Sequence, residues 1–324
     1  MSISVVGSVA YDSVKTPLGQ REEVLGGSAI YFSAAASYFC PVSIVAVVGS
    51  DFRADELVVL EARDVDTTGL VRAQGKTFRW SGEYGENIND CHTLETQLNV
   101  FAHFRPQLSP QAKSSPYLFL ANIDPDLQYD VLQKMDKRPK VVAGDTMNLW
   151  IQQKTEALKR VLATLDILMI NDSEAYLLAG EWNLVKAAKH ILSLGPKMVL
   201  IKRGEYGAIG FTGDSIFAAP AYPLEMVVDP TGAGDSFAGG FMGYIAATGD
   251  TSMEGFRRAT ILGSVMASFA VESFSLERLN SLTYHDIQKR FRDFKNLTQF
   301  EDLKEGEIIV KEKVLKTAHE KEGS

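Results

Sequence analysis

The run Asp229-Pro230-Thr231-Gly232-Ala233-Gly234-Asp235 gathers residue types suited to handling a phosphoryl group. Small residues at 232–234 let the backbone turn and approach a ligand closely. The stretch Phe237–Ala247 that follows reads as a helix, so the turn is a helix N-terminus. Amides there lack intrahelical acceptors and attract anionic oxygens. Those of Gly232, Ala233 and Gly234 can therefore stabilise charge that builds on a phosphoryl group in transit. Asp235 falls in the first turn, where the helix dipole favours an ionised carboxylate at neutral pH. Such a carboxylate can take the proton of an attacking hydroxyl. The bland reading, an acid that merely complements the dipole, stays open. Other phosphate motifs are absent: there is no GxxxxGK[ST] and no HRD or DFG set. Gly232-x-Gly234 lacks the third glycine of a dinucleotide fingerprint, because position 237 is Phe.

Further polar residues stand where apolar runs end. Asp12 follows Gly7 and the run Ile3–Val6; a carboxylate there can accept hydrogen bonds from two adjacent hydroxyls, or simply close a turn. Gly26-Gly27 precedes a helical stretch opened by Ser28, and Tyr31 lies in its first turn. Asn171-Asp172-Ser173-Glu174 follows Ile167–Ile170 and is open to being only a capped helix start. Lys202-Arg203-Gly204-Glu205-Tyr206-Gly207 follows Val199–Ile201; it is either a ligand loop or a solvated hairpin. Asp145 and Asn148 end another strand and are open to lining the same cleft. The five histidines form no metal spacing.

The elements that must position these residues alternate. Ile3–Val6, Ile44–Val48, Tyr117–Leu120, Val141–Ala143, Ile167–Ile170 and Val199–Ile201 read as buried strands. Ala29–Phe39, Ala54–Arg63, Asp126–Met135, Ile151–Leu165, Glu174–Ala179, Leu184–Leu194 and Glu254–Ala270 read as helices. This rhythm predicts an α/β fold with a mostly parallel sheet covered on both faces. Ligands in such sheets bind at the C-terminal strand edge, where the singled-out residues fall. Residues 69–104 break the rhythm and read as a small β insertion, with Phe78, Trp80 and Tyr84 as its candidate ligand contacts. It could serve as a lid, as the seam of a homodimer, or as both. The expected organisation is one domain over 1–300, with a charged tail over 301–324 that is loosely ordered or adds one edge element through Ile308–Val310.

Net charge is −8 and no basic stripe occurs, which argues against nucleic acid as a partner. The two cysteines, Cys40 and Cys91, form no CxxC pair. With no leader-like start and no apolar run of membrane-spanning length, the expectation is a reduced, cytoplasmic protein without a membrane partner.

The Asp229–Asp235 signature, together with Gly7/Asp12, Gly26-Gly27, Asn171-x-x-Glu174 and Lys202–Gly207 in that order over roughly Ser2 to Thr298, resembles the ribokinase-like (PfkB) family of carbohydrate and nucleoside kinases. The resemblance implies a three-layer αβα sandwich with a small β lid, and in-line transfer from ATP to a hydroxyl of a small sugar. An adenosine-like nucleoside is the alternative acceptor, and an idle sugar- or nucleotide-binding regulator a third reading. It implies Asp235 as base with the 232–234 amides, Asp12, Gly26 and Gly27 on the acceptor, and Lys202, Gly204, Gly207, Thr231 and Asn171 on ATP. Glu174, with Asn171, would organise Mg²⁺, and the Asp229–Thr231 backbone is open to a monovalent cation such as K⁺. Ribokinase itself resembles GGKGAN where this chain reads Gly26-Gly27-Ser28-Ala29-Ile30-Tyr31. Tyr31 thus replaces a sugar-binding Asn and admits a bulkier or more aromatic acceptor.

Overall fold

The computed structural model describes residues 1–302. The chain begins with β1 (Ile3–Val6), β2 (Ala10–Thr16), β3 (Gly19–Gly26) and β4 (Val42–Val48). Then come β5 (Val65–Asp66), β6 (Leu70–Arg72), β7 (Phe78–Tyr84), β8 (Cys91–Gln97) and β9 (Tyr117–Leu120). The remaining strands are β10 (Val141–Gly144), β11 (Ile167–Asn171), β12 (Met198–Lys202), β13 (Ala208–Thr212) and β14 (Ile216–Ala219).

The central sheet has the order β14-β13-β12-β11-β10-β9-β1-β4-β5, with β6 also on β4. It is parallel from β12 to β5; only β13 and β14, at one end, run antiparallel. Each inner strand is apolar on both faces and divides its side chains between two cores. Ile3, Val5, Ile44, Phe119, Met169 and Leu200 face one core. It is completed by helices Ser28–Ala36, Ala233–Thr248, Met253–Ala270 and Tyr284–Thr298. Val6, Val45, Leu120, Leu168 and Ile201 face the other, under helices Pro125–Gln133, Thr155–Leu162, Asp172–Ala179 and Leu184–Ser193. The result is the expected three-layer sandwich.

The second sheet, β3-β2-β7-β8, corrects the expected lid. Residues 69–104 supply only β7 and β8, while β6 joins the central sheet beside β4. The other half of the lid is the hairpin β2–β3, whose Gly19–Glu23 stretch is exposed and charged, so it carries no apolar alternation for a sequence reading to detect. β8 ends at Gln97, and Phe101 lies in a 3₁₀ turn where its ring stacks on Phe78 at 5.3 Å. Phe78 is thus spent on the lid's own packing. The expected helix Ile151–Leu165 breaks at Lys154, whose ammonium binds Asp124 and Asp126. β13, β14 and helix Tyr284–Thr298 were not anticipated. The expected edge element at Ile308–Val310 lies outside the described residues. Among the described residues, no helix is long and apolar enough to cross a membrane.

Phe119 is fully buried and stacks on Phe32 with centroids 4.5 Å apart, which ties the central strand to the helix behind Gly27. Phe119→Ala is expected to lose about 3–5 kcal/mol of stability, as measured by denaturant unfolding, and Phe119→Leu clearly less.

Candidate active site

Helix Ala233–Thr248 begins at Gly232, whose φ is 74°. That left-handed backbone favours glycine. The Tyr31 ring also lies flat against Gly232 and leaves no room for a Cβ. Ala233 N–H closes the turn onto Pro230 O at 3.2 Å, so it is engaged rather than free. Among the described residues, the amides of Gly232, Gly234 and Asp235 have no acceptor. The free donors of the turn therefore differ from the expected 232–234 set by one member, with Asp235 standing in for Ala233. Upstream, the buried Asp229 accepts a hydrogen bond from Thr231 N–H through Oδ1 (2.9 Å), while its Oδ2 has no partner.

Lys202 reaches this turn from the end of β12. Its Nζ lies 3.0 Å from where a Cβ of Gly234 would stand, and it donates to Asp145 Oδ2 at 3.1 Å. Asp145 directly follows β10 and accepts from Thr146 N–H at 2.7 Å through Oδ1. Asn148, by contrast, is exposed. Asn171, paired with Lys202 across the β11–β12 ladder, caps the next helix reciprocally with Glu174. Glu174 N–H donates to Asn171 Oδ1 at 2.8 Å and Asn171 N–H to Glu174 Oε2 at 2.9 Å. Both residues thus hold the helix start, and the Glu174 carboxyl lies within reach of the Asp145 and Lys202 charges. Gly204 and Gly207, at φ 53° and 83°, form the tight β12–β13 hairpin, in which Arg203 N–H donates to Gly207 O at 2.8 Å.

On the lid side, Asp12 lies within β2 rather than at the end of β1, 4% exposed and packed over Gly26. Tyr31 is buried and its hydroxyl has no partner among the described residues. Trp80 pairs with Asp12 in the β2–β7 ladder, so the two side chains share one face; its indole N–H donates to Thr93 Oγ1 at 3.3 Å. Further along the strand, the Tyr84 hydroxyl stands 3.2 Å from Thr231 Oγ1.

The electrostatics of the cluster follow from crowding acids around one ammonium. Burial, then the Asp145 carboxylate, pushes Asp235 up to about 7 against the pull of Lys202. This revises the expectation of a carboxylate fully ionised at neutral pH: local burial outweighs the helix dipole. Glu174 is raised to about 7 by burial and Asp145. Asp12 is likewise raised to about 7 by burial and the Asp229 carboxylate. Burial opposes the charge on Lys202, but Asp145, Glu174 and Asp235 together hold it above its usual range. Among the described residues, no three His, Cys, Asp or Glu side chains are grouped as a metal cage. The assembled parts can cradle phosphate oxygens, hold a polyhydroxylated molecule beneath an indole, and exchange a proton near neutrality.

The sequence profile of the pfkB family carbohydrate kinases matches residues 2–280. The chain is 29% identical over 250 residues to a cytidine kinase of Thermococcus kodakarensis, covering 75% of this chain and 88% of that one. It is 24% identical over 287 residues to a nucleoside kinase of Methanothermobacter thermautotrophicus, covering 82% and 88%. In fold it is similar to the crystal structure of a nucleoside kinase of Methanocaldococcus jannaschii, an archaeal member of the ribokinase family. That match has a TM-score of 0.72 at 18% identity and covers 90% of this chain and 98% of the other.

The raised carboxyl carries a stability consequence. Asp235 titrates near 3.8 when unfolded and near 7 when folded, so its ionisation opposes folding increasingly as pH rises through that interval. Asp235→Asn is expected to raise the thermal unfolding midpoint at a pH of about 8, and the difference from wild type should shrink as pH falls toward about 4.

Proposed function

The chain belongs to the pfkB family and is an ATP-dependent phosphotransferase with an alcohol acceptor, and we propose that the acceptor is a nucleoside. One observation carries the assignment of the site: an ammonium, unpaired amides and a carboxylate converge on the Gly232–Asp235 turn. In this reading ATP lies along the edge formed by Lys202–Gly207 and Thr231, its outer phosphate at the turn. The acceptor hydroxyl attacks the γ-phosphorus in line and the bond to the β,γ-bridging oxygen breaks. ADP leaves and Asp235 receives the hydroxyl proton. Lys202 and the amides of Gly232, Gly234 and Asp235 take up the equatorial charge, so positioning and electrostatics do most of the catalysis.

Asp12 grips two hydroxyls of the acceptor, Gly26-Gly27 lets it approach the backbone, and Trp80 roofs it. The unpaired Tyr31 hydroxyl offers it one further polar contact. The expectation of a simple sugar gives way to a nucleoside, because an indole beside Asp12 suits stacking on a base and because the cytidine kinase aligns over most of its length. The residues fit Mg²⁺ that enters with the nucleotide: Glu174 Oε1 and Asp145 would hold it through waters, as that ion prefers, and it would neutralise phosphate charge. The unpaired, buried Asp229 Oδ2 fits a monovalent cation such as K⁺.

A panel of nucleosides and sugars with ATP and Mg²⁺, read by ADP release and product mass, is expected to yield a nucleoside monophosphate. Phosphorylated sugars alone would move the acceptor back to carbohydrates. Asp235→Asn is expected to lower kcat by roughly 10²–10⁴. The base must be deprotonated to act, so kcat/KM should fall as pH drops through about 7 in wild type, and this acid limb should vanish in the Asn variant.

A further inference from the structure

The small sheet carries two kinds of contact on one face. Asp12 on β2 and Trp80 on β7 stand side by side in the ladder. Four residues on, and therefore on the same face of β7, the Tyr84 hydroxyl meets Thr231 Oγ1 at 3.2 Å. Thr231 is the residue immediately before Gly232. In the turn that joins β7 to β8, the Asn89 amide oxygen packs on Gly204 so closely that a Cβ would not fit between them. One hairpin thus touches the phosphate turn through Tyr84 and the Lys202–Gly207 loop through Asn89. Its neighbouring strand carries the acceptor carboxylate. The phenol is well buried at this junction, which raises its pKa, and the Thr231 hydroxyl opposes that rise.

We propose that Tyr84 is a positioning residue that couples the two ligands, so that acceptor and ATP bind with positive cooperativity. The proposal rests on the kinase reading above. Seating the acceptor against Asp12 and Trp80 orders the sheet; the Tyr84–Thr231 contact passes that order to the turn that receives the phosphates, and Asn89 passes it to the nucleotide loop. By linkage, the nucleotide tightens the acceptor by the same factor. Tyr84 is thereby assigned to the donor side of the cleft, although it projects from the sheet that grips the acceptor.

The test is titration calorimetry of AMP-PNP–Mg²⁺, with and without the nucleoside that the panel shows to be turned over best. In wild type the nucleoside is expected to tighten the nucleotide by about fivefold or more. In Tyr84→Phe, Thr231→Val and the double variant this factor should drop toward one, to the same extent in all three, because each removes the same contact. ATP hydrolysis without phosphorylated product should also rise relative to transfer. A merely structural role for Tyr84 would weaken both ligands and leave the factor unchanged. An unchanged factor in Tyr84→Phe, or no cooperativity in wild type, overturns the proposal. Should Tyr84→Phe fail to fold by circular dichroism, Asn89→Ala supplies the same reading from the loop side. Wild type that makes product while its variants keep the factor sinks the coupling alone. Wild type that phosphorylates no member of the panel sinks the kinase reading, and the coupling with it.

Discussion

The site is organised by one constraint: a single ammonium, that of Lys202, is shared among several carboxylates at the mouth of a helix. Asp145 holds it by a direct hydrogen bond, and Glu174 and Asp235 surround it. Without Lys202, Glu174 and Asp235 would lose the one charge that opposes their burial and the Asp145 carboxylate, and both would hold their protons more tightly. With it, the pocket has a positive centre pressed against the Gly232–Asp235 turn. Glu174 and Asp235 stay near the point of titration, where a proton acceptor is most effective at neutral pH. The sheet exists, functionally, to keep these groups in register: β11 and β12 end in Asn171 and Lys202, and Asp145 directly follows the adjacent parallel strand β10.

Much of this arrangement was legible in the residues, and the reason is physical. Buried parallel strands must be continuously apolar, so their ends are marked by the first polar residue, and the residues that cluster in space are those first polar residues. Asp145, Asn171 and Lys202 each stand at such a boundary. The Gly232 turn was legible because few side chains other than hydrogen suit both its backbone angle and the ring beneath it. The aromatic at position 31 could be read as a change of acceptor, but not as the floor of the turn, because that contact joins residues two hundred positions apart.

What the residues concealed shares another cause. β2 and β3 are a mostly polar hairpin joined to β7 far along the chain, and the exposed Gly19–Glu23 stretch carries charges like those of any loop. β13 and β14 form the antiparallel end of the sheet, where one side meets solvent and the apolar signal thins. Asp235 was misjudged electrostatically for a related reason. The dipole of its own helix is visible in a sequence, whereas the burial that raises it most, and the Asp145 carboxylate that adds to it, come from the tertiary fold, with Asp145 ninety residues away.

The division of the small sheet between two stretches of chain has its own outcome. Its strands come in equal parts from the hairpin before helix Ser28–Ala36 and the hairpin after β6, with β2 and β7 parallel at the seam. Neither hairpin forms a sheet of useful width by itself, and β4 to β6, which belong to the central sheet, lie between the two in the chain. This cover is therefore no detachable cassette. Grafting a relative's acceptor preference onto this scaffold would mean exchanging both hairpins and the seam between them together, and the cover would be among the last parts to acquire shape as the chain folds.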